Sequence, residues 1–202
     1  LSYNGTEPII SSGTPGKAGD YFIYSGQQLV QVEKNSIPGI MSQQLSTKVA
    51  DVFHKRFLAL YKGRIPSAKH IAETPFETLR GIGLSNAKAN YVLNVCRFFI
   101  DEKITDARLH KMKDEELIKY LTQIKAVGQW TVEMILMFTL GREDVFAADD
   151  LGIQQAICKL YRVDASDKKT MKQEMLRISS KWSPYRTYAC RYLWGWKDNK
   201  GS

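Results

Sequence analysis

Cysteine is scarce. The 202-residue chain has three, Cys96, Cys158 and Cys190. They stand far apart, without the C-x-x-C spacing of a zinc or redox site, and an odd number argues against a disulfide framework. They read as core thiols in a reducing compartment. Long apolar runs are also missing. None reaches the roughly 18 residues that a membrane-spanning helix needs, so no contact with a membrane is expected. The N-terminus lacks the pattern of a secretory signal. The expectation from these absences is a soluble, cytoplasmic protein, long enough for one core or two small lobes. What the chain does have is positive charge. A formal net charge of +8 and an isoelectric point near 9.3 suit an anionic partner.

Residues 1–19 are rich in Gly, Pro, Ser and Thr and read as loop. Gly13-Thr14-Pro15-Gly16-Lys17 has the wrong spacing for a phosphate loop and leads toward a strand, not a helix. Residues 20–33 alternate, with aromatic and β-branched members, and break at Ser25-Gly26, which predicts a short β-hairpin. From Ile37 onward the patterning is helical. Ile40, Leu45, Val49, Val52, Phe53, Phe57 and Leu60 form one stripe. Pro75 after Thr74 opens a short helix, and Ser85 opens another that runs to about Ile100. Asp106–Lys113 reads as a polar connection, Asp164–Lys169 as a charged loop, and Lys172–Trp182 as a helix.

The chain is organised around residues 117–157. A helix from Glu116 to about Ile124 runs into the turn Lys125-Ala126-Val127-Gly128, and a second helix spans Gln129 to Leu140. Gly128 suits a position of positive φ or of close approach. The first N–H groups of a helix lack internal partners, so a turn presenting them outward is an anion site that fits a phosphate. After the polar break 141–144 come Val145-Phe146-Ala147-Ala148, then Asp149 and Asp150 just before a helical stripe of Ile153, Ala156, Ile157 and Leu160. Asp before a helix is commonly an N-cap. With two, one can cap while the other faces a ligand.

Val127-Gly128-Gln129-Trp130-Thr131, Asp144-Val145-Phe146, Asp149-Asp150 and the closing Trp182-Ser183-Pro184-Tyr185-Arg186 with Ala189 and Trp194 together resemble the HhH-GPD superfamily of DNA glycosylases. Within it they are most similar to the alkylbase (3-methyladenine) branch. The likeness covers roughly residues 37–197. It implies a mostly α, two-lobed helical core over 36–198, with the hairpin at 117–140 and the aspartate loop at 141–150. The β-hairpin within residues 1–35 is atypical for the family.

The resemblance also implies roles. Asp150 maps onto the catalytic carboxylate, which leaves Asp149 as the capping and supporting residue. Trp130 and Trp194 match base-pocket positions, and Met134 stands where relatives have a tyrosine. Lys125, Ala126, Val127, Gly128, Gln129 and Thr131 would bind the DNA backbone, and Gln44 would fill the gap left by an extruded nucleotide. Backbone carbonyls of Thr122, Ile124 and Val127 would hold a Na or K ion. No cofactor is required, and without four clustered cysteines no iron–sulfur cluster is expected. Bifunctional relatives have a lysine where Trp130 stands, so a monofunctional enzyme is expected.

The implied activity is hydrolysis of the N-glycosidic bond of alkylated purines in double-stranded DNA, by a monomer, in base excision repair. Two other readings stand beside it: a non-catalytic DNA-binding module, and a glycosylase for oxidised or deaminated bases.

Overall fold

The computed structural model describes residues 55–64 and 66–200. The expected hairpin at 20–33 and the expected wedge Gln44 lie outside the described residues. Among those described, every regular element is helical. After a helical stretch at 55–60 come α1 (Ala68–Ala72), α2 (Phe76–Gly81) and α3 (Asn86–Asp101). Next are α4 (Asp106–Lys111), α5 (Asp114–Leu121) and α6 (Gln129–Met134), the last prolonged by a π-helical turn, Ile135–Thr139. Then follow α7 (Leu151–Tyr161), α8 (Lys168–Ser179), a 3-10 turn (Ser180–Trp182) and α9 (Arg186–Lys200).

Local chemistry explains most boundaries. Ser67 and Ser85 cap α1 and α3 by accepting from the third backbone N–H beyond each. Lys113 N–H donates to Glu116 Oε2 at 3.1 Å at the start of α5, where Asp114, Glu115 and Glu116 also complement the helix dipole. Two expected loops are shorter than their polarity suggested. Residues 106–111 form α4, because Thr105 caps it and Leu109 anchors it in full burial. The loop before α8 gives way at Lys168, where Asp167 accepts from Thr170 N–H at 2.7 Å. In both places a side-chain cap outweighs the polar composition.

The core is continuous. Leu117 and Leu121 of α5 bury fully beside Val132 and Leu136 of the α6 segment. Truncating any one to Ala would cost about 2–5 kcal/mol. α1 and α2 pack on α3, α5 on α6, and α7 on α9. Cys96 and Cys190 are buried and Cys158 half-buried, all three free. Burial pushes the Cys190 thiol up to about 12.

The expected helix 129–140 is α-helical for six residues only. Over Ile135–Thr139 its bonds lengthen to the i→i−5 pattern, with Leu140 N–H on the Ile135 carbonyl at 2.9 Å. The next bond, Arg142 N–H to the Leu136 carbonyl at 2.8 Å, closes the element and delivers the chain into the loop 141–150.

Candidate active site

That loop is tied down by residues distant in sequence. Arg186 holds Asp144 in a bidentate pair at 2.7 and 2.9 Å, and Ser183 Oγ donates to Asp144 at 2.8 Å. The Arg186 guanidinium brings the Asp144 carboxyl down to about 2. Thr187 donates to the Arg142 carbonyl at 2.7 Å and accepts from Val145 N–H at 3.0 Å. Arg142 in turn donates to the carbonyls of His110 and Met112, each at 2.9 Å. Val145, Phe146, Ala147 and Ala148 then sink into the core. The loop therefore reaches Asp149 and Asp150 with little freedom.

The helix cap falls on Asp150 and not on Asp149, which corrects the expected division between them. Asp149 is exposed and does not cap; it forms an ion pair with Lys172 of α8 at 2.7 Å. Asp150 is the N-cap of α7, with Oδ1 accepting from Ile153 N–H at 2.9 Å. The physical reason is position: only the residue next to the first helical one can reach the N–H three positions on. Capping uses only part of the Asp150 carboxylate. Oδ1 also accepts from Trp194 Nε1 at 2.9 Å, and Oδ2 accepts from Trp130 Nε1 at 2.9 Å. Asp150 remains half-buried at the surface where these two indoles meet. Trp130 is 37% exposed, whereas Trp194 is partly buried and packs on Phe138, centroids 5.9 Å apart. α6, α7 and α9 thus each supply one member of the cluster.

Met134 is different. At 5% exposure it belongs to the core. The hairpin residues divide by side. Lys125, Ala126, Gly128 and Gln129 are exposed, while Ile124, Val127 and Thr131 are buried. Val127 N–H donates to the Ile124 carbonyl at 2.9 Å, and Ala126, third of that four-residue turn, has φ +79. Positive φ at the third residue is the mark of a type II turn, where glycine is the usual occupant. The positive-φ position is thus Ala126, and the expectation for Gly128 is corrected. Gly128 has φ −90, and an added Cβ there would meet nothing within 4 Å. It is the N-cap of α6 and contributes no side-chain bond, so the amides that open α6 keep their outward face.

Among the described residues no cluster of three or more His, Cys, Asp or Glu could hold a metal ion. The turn carbonyls expected to hold a monovalent cation are a separate matter. Of these, the Ile124 carbonyl accepts the Val127 N–H at 2.9 Å and keeps a second lone pair.

The sequence reading missed Glu133. Glu133 is 3% exposed; its Oε1 accepts from Gln129 Nε2 at 2.9 Å, and Oε2 has no partner among the described residues. Burial pushes this carboxyl up to about 7, with Asp149 and Asp150 adding to the rise and Gln129 and Lys172 opposing it. The available signal was a lone acidic residue within the otherwise apolar run 132–138.

Helices throughout the described residues, a type II turn leading into a helix start without a side-chain cap, and an aspartate clasped by two indoles fit a helix–hairpin–helix domain. The chain belongs to the HhH-GPD superfamily of base excision DNA repair proteins, whose family model matches residues 37–182. It is 38% identical over 160 residues to DNA-3-methyladenine glycosylase 1 of Schizosaccharomyces pombe, covering 78% of this chain and 69% of that protein. A 3-methyladenine DNA glycosylase from the same yeast, solved in complex with abasic DNA, superposes with a TM-score of 0.75 at 34% identity. That match covers 87% of this chain and 85% of the other. A DNA-3-methyladenine glycosidase from Bacillus halodurans gives a TM-score of 0.71 at 32% identity, covering 82% and 75%.

Proposed function

We propose that this chain is a DNA glycosylase that hydrolyses the N-glycosidic bond of alkylated purines, 3-methyladenine among them, in double-stranded DNA. It acts as a monomer, inside the cell where the DNA is, and leaves an abasic site. The observation that carries the reading is the Asp150 carboxylate held between the Trp130 and Trp194 indoles beside an open helix start.

Each part has a chemical task. A target base must leave the stack before its glycosidic bond can be reached. As that bond breaks, the sugar becomes positive, and a fixed carboxylate stabilises charge where it develops. Asp150 also stands ready to orient the attacking water. Purines alkylated at N3 or N7 are cations and leave without much acid assistance. They are drawn to the faces of Trp130 and Trp194, by about 0.5–2 kcal/mol per contact. Met134 closes the floor of this pocket. Position 130 offers no amine for a Schiff base, which supports a monofunctional enzyme without lyase activity.

The amides of Gly128 and Gln129, the Lys125 ammonium and the open face of Ala126 would grip a phosphate, and Val127 and Thr131 hold the turn against the core. The carbonyls of Thr122, Ile124 and Val127 would hold a monovalent cation, which supplies positive charge beside that phosphate. Binding of this kind ignores sequence and weakens with salt, by about 0.9 log units per log unit of salt for each phosphate neutralised.

The test is release of methylated purines from alkylated duplex DNA by the wild type and by Asp150→Asn. Loss of about 100-fold or more is expected. Equal activity in the two would overturn the assignment and leave a DNA-binding module. Strand cleavage by the wild type would refute the monofunctional reading alone.

A further inference from the structure

Gly152 is the second residue of α7. A Cβ added there would stand 3.0 Å from Asp150 Oδ1, 3.2 Å from Trp194 Cδ1 and 3.4 Å from Trp194 Nε1. At Gly81, Gly128 and Gly195 an added Cβ would meet nothing within 4 Å. Glycine in a helix costs about 1 kcal/mol relative to alanine. The backbone at Gly152 is not in the positive-φ region that would call for glycine. Space, not conformation, accounts for its presence.

We infer that Gly152 is a positioning residue: its bare Cα opens the slot through which the Trp194 indole reaches Asp150, and so fixes where the carboxylate stands. The inference rests on the reading of Asp150 as the catalytic carboxylate. Three donors orient that carboxylate: Ile153 N–H and Trp194 Nε1 on Oδ1, and Trp130 Nε1 on Oδ2, each at 2.9 Å. A methyl group at 152 presses on Oδ1 and on the indole edge together. The carboxylate cannot retreat without giving up the cap of α7. The indole therefore swings outward and its N–H leaves Oδ1. Asp150 is then held by two donors and can rotate. A misplacement of about 1 Å in a reacting group costs about 100-fold in rate. A shift of a few tenths of an ångström is expected to cost about tenfold.

The experiment is single-turnover release of methylated purines by the full chain, with affinity for an abasic-analogue duplex and thermal melting measured in parallel. Gly152→Ala is expected to lower the rate about tenfold while affinity is unchanged and melting is not lowered. Trp194→Phe, which keeps a ring but loses the N–H, should give a similar loss. The double variant should be no slower than the slower single, because both changes break the same bond. Gly195→Ala, with open space around its Cβ, should match the wild type. A wild-type rate for Gly152→Ala, or losses that multiply in the double variant, would overturn the role given to Gly152. Full activity of Asp150→Asn would instead overturn the underlying reading of the carboxylate.

Discussion

The turn at 81–85 carries two glycines and the turn at 125–128 only one, yet the glycine-poor turn is the one that leaves its helix end open. In the first, Gly83 N–H donates to the Arg80 carbonyl at 2.8 Å, Ile82 has φ −78 and ψ −2, and Gly83 follows with φ +102. That is a type I turn with glycine in its usual fourth place. Ser85 then caps α3 through Lys88 N–H at 3.3 Å. In the second, positive φ falls on Ala126 and the N-cap is Gly128, which has no side chain to offer. One turn satisfies its own helix start; the other presents that start outward. The fifth residues of the two helices differ as well. Asn90 of α3 is exposed, while Glu133 of α6 is a buried carboxyl. A glycine pattern alone does not tell which turn leaves its helix start open; the residue at the N-cap does.

The largest expected effect that would sharpen this contrast concerns Glu133. Its folded pKa lies near 7, above the ordinary value of 4.5, because burial disfavours the charge. The native state therefore binds more protons than the unfolded one between those values, and stability falls as pH rises from about 4.5 through about 7. The decline is on the order of 3 kcal/mol. Glu133→Gln should flatten it in denaturant melts across that window, while Asn90→Asp in the first helix should add no such slope. A decline of the same size in Glu133→Gln would remove the distinction.

Next comes the helix start itself. Gly128→Asp, which caps α6 and sets a negative charge before it, should weaken binding to duplex DNA tenfold or more. It should also flatten the salt dependence by about 0.9 in the log–log slope. Unchanged affinity in a fluorescence titration would make the second turn as inert as the first.

Smaller effects test the backbone assignments. Gly83→Ala should destabilise by about 1–2 kcal/mol, since φ +102 is strained for any residue with a Cβ. Ala126→Gly should stabilise by under about 1 kcal/mol, as relief of strain exceeds the added freedom of the unfolded chain. Smallest of all, Ser85→Gly should cost only a few tenths of a kcal/mol and leave DNA affinity alone. Thermal melts would show whether the signs are opposite, as the two turn types require.

Much of this was legible in the sequence. Trp130 and Asp150 are twenty positions apart, and the structure joins them by a hydrogen bond. The helices after Ser85 and Gly128 begin where the pattern put them. What stayed hidden depends on three-dimensional neighbours. Which aspartate caps α7 was settled by one residue of register. Asp144 and Arg186 were both visible as motif members, but their pairing spans 42 positions and leaves no local trace. The π-helical turn at Ile135–Thr139 has no signal of its own, because its apolar residues would also suit an ordinary helix. Gly152 carries no signal of its own in the sequence, and only the indole beside it accounts for the glycine.

The tie from Arg186 to Asp144 bears on how the protein is made. A chain growing from the ribosome contains Trp130 and Asp150 well before α9 emerges, but neither Arg186 nor Trp194 is yet there to set them. The carboxylate gains its second indole, and its loop gains its anchor, only when the last described helix docks. A half-synthesised copy would carry the turn and the carboxylate without the contacts that set them, so the order of synthesis leaves the proposed site unfinished until that helix is in place.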